Sequence, residues 1–284
     1  MKLWYQSTVR QTQWGARSRA MREILDAVKA PDTEIELHGT LREALGSGRL
    51  GPPEPLDVEE IVRIARLAAD RGFDAFLIGN IADPGLDRTR EIIDIPVLGL
   101  CEASLKAAGM MGASFALVTA NHSFTSLVVD NIARYGMRDR VTGIQDMGIE
   151  QLRDIDRGFD DAEVRRRLIR RFHSAARTNG GPGSDVVIAA GGMVMALLAY
   201  GKVEETEDGT PVVDGIANLV KLGELTVKVN RVIGGKFAAD RLDLAAEMLR
   251  SFDAAPLRRT RPASFVTLEN DGAISGIRAG RSNG

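Results

Sequence analysis

The chain has 284 residues, 44% apolar and 27% charged, with 37 basic against 39 acidic side chains and a net charge of −2. That size and composition support one large or two modest globular domains around a sizeable core, and the near balance of charge supplies no field to draw nucleic acid or an anionic membrane. The single cysteine, Cys101, cannot close an internal disulfide, the three histidines (His38, His122 and His173) lack metal-ligand spacing, and no apolar run approaches the ~18 residues of a membrane span.

Lys2 to Gln6 is a short β-type run, and Ser7-Thr8 after it caps a turn or offers hydroxyls to a ligand at the strand's carboxyl end, with Ser7 the candidate. No long apolar h-region follows the first residues, so the chain is expected to be cytoplasmic. Ala16 to Val28 carries Ala20, Ile24 and Val28 on one helical face, and Thr33 to Leu37 alternates as a half-buried strand, with His38 satisfied at its rim. Gly46 to Pro55 is a glycine- and proline-rich surface loop, and Val58 to Arg71 is an amphipathic helix.

The apolar run Phe73 to Ile78 then stops at Gly79-Asn80, and Asp83-Pro84-Gly85 is a turn opening onto a helix from Asp87. Ile95 to Leu100 is the next strand and Glu102 to Ala108 a helix start. Ser114 to Thr119, Arg140 to Ile144 and Val186 to Ala190 are further strands, interleaved with helices at Ser123 to Tyr135 and Ala162 to Arg177. Val194 to Tyr200 continues as a helix, and Ile216 to Val232 is a helix leading away from Val212-Val213. Strand and helix in alternation predict an α/β fold with parallel sheets and helices outside. In such a fold ligands gather at the carboxyl ends of the strands, where helix N-termini present free N–H groups. Two strand ends share one design, Gly79-Asn80 and Ala190-Gly191-Gly192, and they predict a cleft between two halves. Beyond Ser251 an arginine-rich tail, with only Asp253, Glu269 and Asp271 to balance it, is expected to be a solvated, mobile terminus.

Asn80-Ile-Ala-Asp-Pro-Gly-Leu86, Ile95-Pro-Val-Leu-Gly-Leu-Cys-Glu-Ala103, Leu117-Val-Thr119 and Asp185 to Met193, in this order, resemble the aspartate/glutamate/hydantoin racemase superfamily over roughly Lys2 to Val232. The resemblance implies two similar Rossmann-like lobes related by a pseudo-twofold, with the active site in the cleft between them. It also implies a small-molecule substrate, no organic cofactor or metal, and association into a homo-oligomer. The expected division is residues 1–98 plus about 214–250 for the first lobe and 99–213 for the second, followed by the 251–284 tail. In racemases of this family one cysteine from each lobe faces the substrate carbon, one thiolate removing the proton while the other thiol supplies it. At the matching positions this chain carries Asn80 and Ala190. An amide donates hydrogen bonds and an alanine does neither acid nor base chemistry, so the two-thiol mechanism cannot run here.

The remaining candidates are weighed against plainer roles. Asn80 suits a ligand oxygen, or stabilises its own turn. Gly191 and Gly192 would let an anion approach a helix N-terminus, or would only allow strand and helix to pack closely. Thr119 and Asn121 stand where the family binds the substrate carboxylate, or form an ordinary turn. Asp83 caps a loop or helix ahead of any general-base role, and Asp214 orients the site or caps the following helix. Glu102 is the first acid–base candidate, its pKa raised if the cleft is dry, and His122 is the second. Cys101 is read as a small buried hydrophobe. The function expected is a racemase or epimerase acting on a small carboxylate, amino acid or hydantoin-like compound; a lyase or amide hydrolase on the same fold, or a silent small-molecule binder, are the alternatives.

Overall fold

The structure is a computed structural model and describes residues 1–10, 15–40, 55–151, 153–180 and 183–235. The expected loop from Gly46, up to the residue before Pro55, and the arginine-rich tail lie outside the described residues.

The first half runs β1 (Lys2–Arg10), α1 (Ala16–Val28), β2 (Glu34–Thr40), α2 (Pro55–Asp70), β3 (Ala75–Ile78), α3 (Leu86–Arg90) and β4 (Val97–Gly99). The chain continues through α4 (Leu100–Met111), β5 (Phe115–Thr119), α5 (His122–Arg134), β6 (Val141–Asp146), α6 (Arg153–Asp160), α7 (Ala162–Gly180), β7 (Val186–Ala190), α8 (Gly192–Tyr200), β8 (Val212–Val213) and α9 (Gly215–Val232). The strands form two four-stranded parallel sheets, ordered β2-β1-β3-β4 and β6-β5-β7-β8. The two orders are the same topology used twice, as a repeated lobe requires.

The central strands are short continuous apolar runs because parallel sheets are covered on both faces. Alternation sorts their side chains. Phe76 and Ile78 join Trp4 and the helical Ile61, Ile64, Ala65 and Ala68 on one face of the first sheet, whereas Ala75 and Leu77 join Leu3 and Tyr5 on the other. That second face belongs to a core shared with the second sheet, and α4 and α9, each leaving the last strand of one sheet, pack against each other within it.

Several elements depart from the sequence expectation; β2 runs on to Thr40 instead of ending at Leu37, and β4 is confined to Val97–Gly99 within the expected Ile95 to Leu100. β1 runs on to Arg10, pairing with Thr40 after a register shift, instead of ending at Gln6. α4 begins at Leu100 rather than Glu102, because a distant carboxylate caps its first turn (below). The short helix α6 has only Ile155 and Phe159 to mark its apolar face, with Gly158 between them, and escapes a periodicity reading.

Candidate active site

Register places the carboxyl ends of the strands level with one another. In the first sheet Gln6 pairs with Ile78 and Ile78 with Gly99; in the second, Thr119 pairs with Ala190 and with Asp146. Gly79 and Asn80 therefore leave β3 as Gly191 and Gly192 leave β7. The two exits touch: a Cβ built on Gly192 would lie 3.1 Å from the carbonyl oxygen of Gly79. A side chain at Gly192 would crowd that oxygen, so glycine there lets the loops meet closely. α8 starts at this contact with no side chain capping it, which leaves its first-turn N–H groups directed at the junction.

The Asn80 loop is held by its own side chains. Asn80 Oδ1 accepts from the N–H of Ala82 at 2.8 Å, the turn-stabilising role, while Nδ2 donates to Thr8 Oγ1 at 2.5 Å. Asp83 takes a left-handed backbone with φ 47° and is buried. Its carboxylate accepts the N–H groups of Cys101 and Glu102, both at 2.9 Å, so it caps α4 across 18 residues of sequence, and it also accepts the Tyr135 hydroxyl at 2.7 Å. Burial pushes the Asp83 carboxyl up to about 7, against the hydrogen bonds from Cys101, Tyr135 and Glu102 that favour its ionised form. Asn131 on α5 donates to the carbonyl of Ile81 at 3.1 Å, so α5, which follows the central strand of the second sheet, and Tyr135 at its C-cap grip the β3 loop of the first at two points.

The raised carboxyl expected at Glu102 is a correction. Burial alone would raise it, but Arg90, at 2.5 Å, and Lys106, at 2.7 Å, outweigh burial and hold it below the usual carboxylate range. Glu102 is thus an ionised partner of two cations. His122 is the first residue of α5 and is exposed. Thr119 is fully buried, its hydroxyl 2.9 Å from Thr125 Oγ1 and donating to the Asn121 carbonyl. Asn121 caps α5 and donates to the Ile149 carbonyl at 2.9 Å, and Asp214 caps α9 by accepting the N–H of Ala217 at 2.9 Å. Thr119 and Asp214 are engaged within their own turns, and Asn121 ties its turn to the segment after β6. Ser7 is half-buried in β1. Cys101 is buried, and burial pushes its thiol well up, the state expected of a small hydrophobe. His38 lies 3.0 Å from Glu36 and stacks on Trp4 with centroids 3.5 Å apart, the satisfied rim residue expected. Among the described residues no cluster of three His, Cys, Asp or Glu side chains could hold a metal ion.

Sequence reasoning missed two side chains of this region, and it passed over Thr8, which anchors Asn80, in favour of its neighbour Ser7. Tyr135 has no local signal, since it is defined by a partner 52 residues away. Tyr5 is only 2% exposed and lies in the shared core. The far end of its ring occupies the space where Gly79 would carry a side chain, with Cε1, Cζ and the hydroxyl oxygen 2.3, 2.5 and 2.6 Å from a Cβ built there. The hydroxyl makes no hydrogen bond among the described residues. Burial first, and the carboxylate of Asp214 second, push its pKa upward, so it stays protonated.

A family model for Asp/Glu/Hydantoin racemase matches residues 16–223. The chain belongs to the Asp/Glu/hydantoin racemase family. This family member is an isomerase of the racemase type, and it is 29% identical over 178 residues to the hydantoin racemase of Pseudomonas sp. (strain NS671), covering 63% of this chain and 68% of that one. The racemase fold is shared with an allantoin racemase from Klebsiella pneumoniae at a TM-score of 0.66 and 24% identity, over 81% of this chain and 89% of that one. Arylmalonate decarboxylase has the same fold at a TM-score of 0.52 and 20% identity, over 78% and 92% of the two chains. Asn80 follows β3 by two residues and Ala190 ends β7, so the two stand one at each side of the Gly79–Gly192 contact.

Proposed function

We propose that this chain exchanges the proton on the activated carbon of a small cyclic ureide of the hydantoin or allantoin type, without a cofactor and without a thiol in the cleft. One observation carries the reading: the strand-end loops of the two sheets meet at Gly79 and Gly192, beside an uncapped helix N-terminus, with Asn80 and Ala190 flanking the contact. The names of the relatives supply the substrate class. As the proton leaves carbon, charge moves onto the neighbouring carbonyl oxygen, and donors fixed around that oxygen stabilise the enolate-like state. The first-turn N–H groups of α8 serve as donors. Asn80 serves as another, since its amide has a second hydrogen beyond the one given to Thr8.

On this reading His122 moves the proton, and water returns one to the opposite face. Glu102, committed to Arg90 and Lys106, is structural. Ser7, Asn80, Gly191 and Gly192 face the ligand, whereas Thr119, Asn121 and Asp214 hold the loops that present it. The test is to incubate optically pure 5-benzylhydantoin, allantoin and phenylmalonate with the chain in deuterated water and follow them by NMR and chiral separation. Deuterium at the ring carbon with loss of optical purity supports the reading. Loss of carbon dioxide or ring opening replaces it with a lyase or hydrolase, and no change in any compound overturns it in favour of a silent binder.

A further inference from the structure

Tyr5 combines features that packing alone does not account for. Its ring is buried, yet its hydroxyl makes no hydrogen bond among the described residues and is not one of their sealed, unpartnered polar atoms, so the oxygen still touches solvent. Phenylalanine would fill the same space in the core. The far end of the Tyr5 ring lies against Gly79, whose carbonyl oxygen is the atom that meets Gly192 across the junction, and the carboxylate of Asp214 at the start of α9 is close enough to bear on the hydroxyl. The hydroxyl thus lies at the junction of the two lobes, next to the loop that carries Asn80 and near the uncapped start of α8. Gly79 has no side chain because the phenol takes its place.

We propose that Tyr5 is a further catalytic residue, whose neutral hydroxyl donates a hydrogen bond to the oxygen that gains negative charge in the bound substrate. The inference rests on the reading above that an enolate-like species forms in the cleft. Tyr5 keeps its own proton throughout: the carbon-bound proton leaves to the base, the electron pair moves toward the carbonyl oxygen, and the phenol O–H meets that oxygen as the charge arrives. The hydroxyl, with no hydrogen bond among the described residues, is open to the substrate. Such a donor, already fixed by the packing of its ring, needs no reorganisation at the moment of reaction.

The conservative variant is Tyr5→Phe, which removes one oxygen and leaves the ring against Gly79. With 5-benzylhydantoin in deuterated water the expected result is a fall in kcat of about 100-fold with little change in KM, the size found when one oxyanion donor is removed. Stability in urea should be unchanged or higher, the opposite of what a structural hydrogen bond would give. A kcat within threefold of the parent chain overturns the proposal while leaving the functional reading intact. If the parent chain itself exchanges no substrate, the functional reading fails, and Tyr5 is then judged separately. In full-length chain carrying 13C at the tyrosine Cζ, the Tyr5 signal is identified by its loss in Tyr5→Phe and followed during titration with malonate and 5-benzylhydantoin. Movement of that signal with either probe supports a ligand-facing hydroxyl, and a signal that moves with neither overturns it.

Discussion

Replacing Asp83 by asparagine should change how the stability of the protein depends on pH. The carboxyl of Asp83 is displaced from its ordinary 3.8 to about 7, chiefly by burial. The folded chain therefore binds this proton more tightly than the unfolded chain. Stability from this group is fully present below about pH 4 and is lost as pH rises to about 7, where the native carboxyl finally ionises. At about 1.4 kcal/mol per tenfold change in proton affinity, the loss totals about 4 kcal/mol, of which about 2.5 kcal/mol falls between pH 5 and pH 8. Asparagine tolerates the left-handed backbone and still offers an oxygen to the first turn of α4, but it does not titrate. Its cost at Tyr135 and at the second N–H is thus a constant offset. Urea unfolding of both chains at pH 5, 6, 7 and 8 gives the difference directly. The comparison cancels His38, whose imidazole is held low mainly by burial and whose effect on stability runs the other way, gaining as pH rises through the His range. Asp83→Asn should gain on the parent chain by about 2.5 kcal/mol from pH 5 to pH 8. A difference that stays flat, or that moves the other way, would refute the description of Asp83 as a buried, reluctantly ionised cap.

Three further substitutions probe the junction. Gly79→Ala places a methyl group 2.3 Å from the Tyr5 ring, so it should cost about 1–3 kcal/mol in urea unfolding and displace the phenol; an unchanged midpoint would contradict the packing described. Glu102→Gln should leave turnover within about threefold and cost about 1 kcal/mol or less, since both of its cationic partners are partly solvated, whereas a collapse of activity with the fold intact would restore Glu102 as the acid–base group. His122→Gln should lower the rate of proton exchange by about 100-fold or more with no loss of stability, because the side chain is exposed; unaltered exchange would remove it from the mechanism.

The periodic parts of the fold were legible in the residues. α1 begins and ends where Ala20, Ile24 and Val28 predict, and β7 spans the predicted run from Val186 to Ala190, because a helix with one apolar face and a strand buried on both faces each leave a local record. α6 left too little of one, with two apolar positions in eight residues. The junction was legible as two glycine-bearing strand ends of one design, but its partners were not. Glu102 sits at a helix start, as read, yet its state is set by Arg90, twelve residues earlier and brought close only by the turn through β4. Asp83 reads as a cap, and it caps a helix that starts 17 residues later instead of the one beside it, because the β3 loop folds back under α4. In sequence Tyr5 is one more aromatic in a strand. Its hydroxyl acquires meaning only from the empty side of Gly79, 74 residues away.

The most direct measurement of the central claim, proton exchange without a thiol, is the rate of deuterium uptake at C5 of 5-benzylhydantoin by the Cys101→Ala chain, which contains no cysteine at all. The account predicts exchange with loss of optical purity at a rate within about twofold of the parent chain, since Cys101 is buried and its thiol stays protonated. Exchange that disappears in a chain still folded, as judged by circular dichroism and its unfolding midpoint, would place the one thiol in the reaction and contradict the account.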